Sequence, residues 1–117
     1  MKLGELATKL QWTCLTPDFR AAQAEVRAGY VSDLLSDVIA HAPAGGLLVT
    51  VQVHLNVVAV AVHAELAAVV FAMDRSPEET VQRKAVEEGI ALYRSQSTAF
   101  ELVGQLYELG VRGPEVC

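Results

Sequence analysis

Three consecutive residues, His54-Leu55-Asn56, have the types and the setting that suit ligand binding. They follow an apolar run, Leu47 to Val53, that reads as a buried strand, and they open a second apolar run that reads as a helix. In a parallel sheet, ligands gather where strand carboxyl ends meet helix amino termini, because the first N–H groups of a helix attract anions. His54 would stand at the end of a central strand and Asn56 at the mouth of the next helix. A local role is the plainer account, with Asn56 as an N-cap and His54 filling the turn. Arg27 and Gly29 form a comparable edge ahead of Tyr30. There glycine allows close backbone approach and arginine can pair a phosphate or carboxylate. A helix start with a surface arginine is again the plainer account.

Other chemistry is not supported. The chain has no G-x-x-x-x-G-K-[ST] loop, no G-x-G-x-x-G turn and no G-x-S-x-G elbow. Gly45-Gly46 precedes a strand, so it is a turn device and not a phosphate cradle. Asp33 and Asp37 fall on one helical face and read as a solvated surface pair. His41, His54 and His63 share no ligand spacing and have no close Cys or carboxylate partner, so no metal and no cofactor is expected. His63, inside an apolar helix, reads as an interior or interface histidine. Without a nucleophile–base pair or a metal set, no enzymatic activity is expected.

The elements that must position these residues alternate. Leu3, Leu6, Ala7 and Leu10 share a helical face, so Lys2 to Leu10 is a short amphipathic helix. Gln11 to Leu15 is strand-like and ends at the turn residues Thr16-Pro17-Asp18. Phe19 to Ala28 has helix-favouring composition, yet Ala24 to Arg27 suits a short strand; a loop followed by that strand is expected. Tyr30 to Ala42 steps its apolar residues as a helix with one wide face, stopped by Pro43-Ala44-Gly45-Gly46. Val57 to Val62 alternates Val and Ala and suits a strand on propensity alone. It is assigned to helix because parallel strands at Val49 to Val53 and Ala68 to Ala72 need a crossover between them. Its uniform apolarity implies cover on most sides, a second subunit being one candidate. Ser76, Pro77 and Glu79 signal a capped helix ended by Gly89, and Ile90 to Tyr93 is a short strand. Thr98 and Glu101 open a last helix with Phe100, Val103, Leu106 and Tyr107 as its buried stripe.

The expected architecture is therefore a single layered α/β/α domain over residues 1–110 with a mostly parallel sheet of about four to five strands. Val111 to Cys117 reads as a flexible tail. At 117 residues the chain suffices for one core, and 52% hydrophobic against 20% charged residues excludes disorder. A net charge of −5 with nine scattered basic residues argues against a nucleic-acid partner. Gln52, His54, Asn56, His63 and Glu65 interrupt the apolar run Leu47 to Met73, and a mid-bilayer carboxylate costs roughly 3 kcal/mol, so no membrane span is expected. No secretory signal is visible, and Cys14 and Cys117 lie at opposite ends of the chain, so a cytoplasmic setting is expected. The surplus of apolar residues hints at a homo-oligomer interface.

Taken together, GYVSDLLSDVIAHA, LLVTVQVHLNVVAVA and STAFELVGQLYELG resemble the DRTGG-domain family. The likeness runs from the first helix to Gly110 and is most specific at Gly29 to Asp37 and Thr98 to Leu102. It implies a fold similar to the N-terminal domain of HPr kinase, with dimerisation, regulation and no catalysis of its own. The chain departs from the eponymous motif, having Ala24-Glu25-Val26-Arg27-Ala28-Gly29 in its place. It has Met73-Asp74-Arg75-Ser76 where relatives carry a glycine-rich loop, and Leu55 where they carry proline. The expected role is a non-catalytic, self-associating regulatory or scaffolding domain with a homodimeric partner. The alternative is a sensor for a small anionic metabolite or nucleotide at Arg27, Gly29, His54 and Asn56, or for a partner protein.

Overall fold

A computed structural model describes residues 1–17 and 19–114, with Phe19 and Arg20 described by their backbone alone. The elements run α1 (Leu3–Lys9), β1 (Thr13–Cys14), α2 (Phe19–Ala22), β2 (Ala28–Val31), α3 (Leu35–His41), β3 (Gly46–Thr50), α4 (Asn56–His63), β4 (Ala68–Phe71), α5 (Glu79–Glu88), β5 (Ala91–Arg94) and α6 (Ala99–Glu108). The sheet order is β1-β5-β4-β3-β2. The strands β2 to β5 are parallel, and β1 joins β5 antiparallel. The chain thus starts at one edge, jumps to the other, and returns strand by strand.

Two cores follow from strand alternation, since successive side chains leave opposite faces. Leu48, Val69, Phe71 and Leu92 pack with Val38 of α3, Val57, Val58, Val60 and Ala61 of α4, and Val81 and Ala85 of α5. Leu47, Val49, Ala68, Val70 and Tyr93 pack with Leu3 and Leu6 of α1 and Leu102 and Leu106 of α6. Every residue of β3 and β4 is buried, as a parallel sheet covered on both faces requires. This is the layered α/β/α domain expected, with five strands. The crossover argument for Val57 to Val62 holds: that segment is the middle of α4, between β3 and β4 paired Leu47 to Ala68 and Thr50 to Phe71.

Several local expectations are corrected. The helix expected from Tyr30 begins only at Leu35, because Tyr30 and Val31 pair with Leu48 and Val49 in β2. The short strand expected at Ala24 to Arg27 is accordingly displaced to Ala28–Val31, and helix α2 stands where a loop was expected. The Ser76 capping box does not form; α5 starts at Glu79 with Glu78 at the cap and no side-chain cap bond. Thr98 does cap α6, accepting the Glu101 N–H at 3.2 Å. The buried stripe of that helix is rotated, however: Leu102 and Leu106 face the core, while Phe100 is 85% exposed.

The expected tail begins with a docked stretch. Val111 is buried, and the Gly29 N–H on the outer side of β2 donates to Arg112 O at 2.8 Å. The bond takes up an amide that an edge strand would otherwise leave open to another chain. A Cβ at Gly29 would come within 3.3 Å of Val111 Cγ1, so the glycine is what lets the stretch lie close. Glu115 to Cys117 and the turn residue Asp18 lie outside the described residues.

Phe71 is fully buried at the sheet centre, so Phe71→Ala is expected to destabilise by about 3–5 kcal/mol. Urea unfolding should show a lower midpoint at unchanged slope. A loss below 1 kcal/mol would contradict this packing.

Candidate functional site

The carboxyl edge of the sheet is built by short polar side chains that each accept a backbone N–H two residues on. Thr50 Oγ1 accepts from Gln52 N at 3.0 Å, Gln52 Oε1 from His54 N at 3.3 Å, and His54 Nδ1 from Asn56 N at 3.1 Å. Ser32 does the same for Leu34 after β2, and Ser95 for Ser97 after β5. Such bonds offer the backbone an alternative to ladder or helix and steer it out of a strand. Asp33 joins two exits: its Oδ1 accepts from Thr50 Oγ1 and from Val51 N, both at 2.8 Å. Asp33 and Asp37 are therefore not a solvated pair on one helix. With His54 Nδ1 as acceptor, the ring hydrogen sits on Nε2, and the exposed imidazole can donate outward.

The four residues singled out from sequence are not brought together. His54 and Asn56 share the carboxyl edge. Arg27 lies at the opposite end of the sheet, where its N–H donates to Gly45 O at 3.1 Å and its stem crosses Gly45. Gly45 has φ +76°, and a Cβ there would sit 2.8 Å from Arg27 Cδ, so both conformation and contact call for glycine. Gly29 is inside β2 and serves the docked stretch at Arg112. His63, read as interior or interface, is exposed at the end of α4.

Sequence reasoning missed one titratable cluster. Tyr30 OH donates to both Asp37 oxygens, at 2.9 and 2.8 Å, and His41 Nδ1 lies 3.0 Å from Asp37 Oδ1. The Asp37 hydrogen bond, with burial and its negative charge, raises the Tyr30 hydroxyl above its ordinary pKa. The Tyr30 bond, then those from Ser32 and His41, holds the Asp37 carboxyl below the usual range. The spacing of Asp37 and His41 on a helix was the available signal; Tyr30 was hidden by its assignment to that helix. The cluster fastens α3 to β2. Among the described residues no group of three or more His, Cys, Asp or Glu is placed to hold a metal.

A second feature lies in Met73-Asp74, directly after β4. Both residues have positive φ, 58° and 56°. Their N–H groups donate to Ser97 O and Ser95 O at 2.7 Å, and Arg94 pairs Asp74 at 3.1 Å, stitching the exit of β4 to that of β5. The backbone thus adopts a turn that glycine would adopt without strain. Further along, α4 and α5 leave a groove of about 490 Å³ bordered by Leu55, Ala59 and Val62 with Lys84 and Glu88.

Against known proteins, a crystal structure of the CBS and DRTGG domains of the regulatory region of Clostridium perfringens pyrophosphatase, complexed with its activator diadenosine tetraphosphate, superposes with a TM-score of 0.75. The match covers 90% of this chain and 45% of that one, at 8% identity. The chain has a DRTGG-like α/β fold. The resemblance read from sequence is thus met at the level of fold, over less than half the length of the matched chain. No family model matches the sequence, and no curated protein does. Among the described residues no helix is long and apolar enough to cross a membrane.

Two measurements check this geometry. Asp37→Asn should return the Tyr30 pKa toward the ordinary tyrosine range in an ultraviolet titration. The Asp37 contribution to stability should be complete above the ordinary aspartate pKa of about 3.9 and vanish as pH falls through its lowered folded value. A Tyr30 titration unmoved by the substitution would contradict the bond. Met73→Gly, at a position of positive φ, should hold or raise the unfolding midpoint, with a gain of up to about 1 kcal/mol. A marked loss would show that the side chain, not the backbone, holds the turn.

Proposed function

We propose that this chain is a non-catalytic regulatory or scaffolding domain that self-associates, and that α4 carries the interface. The observation that carries the reading is the outward side of α4. Leu55 is 48% and Val62 40% exposed, and with Ala59 they make an apolar strip beside α5. Apolar surface at helical spacing, covered inward by the sheet and open outward, suits a second copy of the same helix. The fold supports a regulatory role, because the matched region regulates an enzyme whose chemistry lies elsewhere. A cytoplasmic setting and the absence of catalysis belong to the same proposal.

A second reading is favoured by the activator in the matched structure. A nucleotide or other anionic metabolite would meet the Nε2–H of His54 and the side chain of Asn56 at the carboxyl edge, with Arg27 and Gly29 outside that site. Against it, His54 already accepts the Asn56 N–H, which removes one of the helix-terminal donors that an anion would use.

Light scattering coupled to size-exclusion chromatography separates the two. A dimer mass that Val62→Asp reduces to the monomer, with unchanged circular dichroism, supports the first reading; a monomer at high micromolar concentration overturns it. For the second, a nucleotide at a hundred times its Kd should stabilise by about 2.7 kcal/mol in thermal unfolding. His54→Ala should abolish that shift, and no shift with adenine nucleotides or phosphates would remove the reading's support.

A further inference from the structure

Met73 is a residue whose type the monomer's own packing does not explain. Its φ of 58° lies in the left-handed region, where a side chain is strained and glycine is not. The turn itself is held by main chain, through the bonds of the Met73 and Asp74 N–H groups to Ser97 O and Ser95 O. Asp74, equally strained, has an ion pair with Arg94. The Met73 side chain is 59% exposed and belongs to neither core. Strain of this kind concentrates where a chain meets something beyond its own fold.

Topology sets Met73 between two more exposed apolar residues. The strands β3, β4 and β5 are parallel neighbours about 4.8 Å apart, so their exits stand side by side at the carboxyl edge. Each exit carries one such residue: Leu55 after β3, Met73 after β4, and Phe100 in the first turn of α6 after β5. The Met73–Ser97 bond ties the second exit to the third. Leu55 also belongs to the α4 strip, so the row continues that strip around the end of the sheet.

Area points to what covers the row. The α4 strip is two half-exposed side chains and an alanine, on the order of 200 Å² per copy. A standard interface of about 800 Å² per partner, roughly 60% apolar, needs about 500 Å² of such surface. Met73 and Phe100 supply roughly the missing 300 Å², most of it from the phenyl ring. The rim carries both signs, with Lys84 and Glu88 beside the strip, as a contact between identical patches needs.

We propose that the self-association surface runs from α4 over the carboxyl edge, with Met73 and Phe100 of each copy buried against a second copy of this chain. This rests on the self-association reading and names the residues that complete its surface.

Dimer dissociation constants of the full chain, from sedimentation equilibrium, test it. Phe100→Ser should weaken the dimer roughly a hundredfold and Met73→Gly roughly tenfold, since a two-fold contact loses each side chain twice. Met73→Gly should do so while its unfolding midpoint, measured where the chain is monomeric, holds or rises. Val86→Ser removes a similarly exposed apolar side chain from α5, away from the row, and should leave the constant unchanged. A dimer that Val62→Asp disrupts, but that Met73→Gly and Phe100→Ser leave within twofold, overturns this inference and spares the α4 reading. A loss with Val86→Ser as large as that with Phe100→Ser overturns it too. A chain monomeric at high micromolar concentration overturns both.

Discussion

The constraint on which the structure depends is the burial of β3 and β4 on both faces. A parallel pair cannot be joined by a hairpin, so the chain between Thr50 and Ala68 must leave the sheet, cross one face and return. Once it does, the helix formed lies on the same face as α3 and α5, and the opposite face is left to α1 and α6. The strand order contains no reversal within its parallel part, so the sheet has no switch-point crevice of the kind that holds nucleotides in doubly wound folds. Function must instead come from edges, grooves and helix surfaces.

The carboxyl edge shows how the sequence exits each strand. Thr50, Gln52 and His54 act in succession, each holding the amide two residues ahead, and Asp33 ties the β2 exit to the same path. These residues have the types that suit a ligand site, and their first use is to satisfy backbone donors where the ladder ends. A polar residue at a strand end therefore carries two meanings. The geometry of the bonds, not residue type, distinguishes them.

The parts of the fold legible in sequence were those decided by long-range necessity or by strong local chemistry. The helical state of Val57 to Val62 came from topology against its β propensity, and the Thr98 cap came from its pairing with Glu101. The parts that were not legible share a cause. Tyr30 and Val31 fit a helical face as well as a strand, and only pairing with Leu48 and Val49 decides between them. Phe100 was assigned to the core because it is large and apolar, although helix phase places Leu102 there beside the expected Leu106. Ser76 had the right spacing for a capping box, but the helix begins only at Glu79, with Glu78 as its cap. For the site, residue type pointed to His54 and Asn56, whereas the separation of Arg27 from them across the sheet could not be read without strand direction.

Backbone NMR of the full chain tests the central claim most directly. The account predicts helical Cα shifts through Val57 to Val62 together with cross-strand contacts in the parallel pattern, Leu48 opposite Val69 and Val49 opposite Val70. Extended shifts across that segment, with antiparallel contacts to either neighbouring strand, would contradict it.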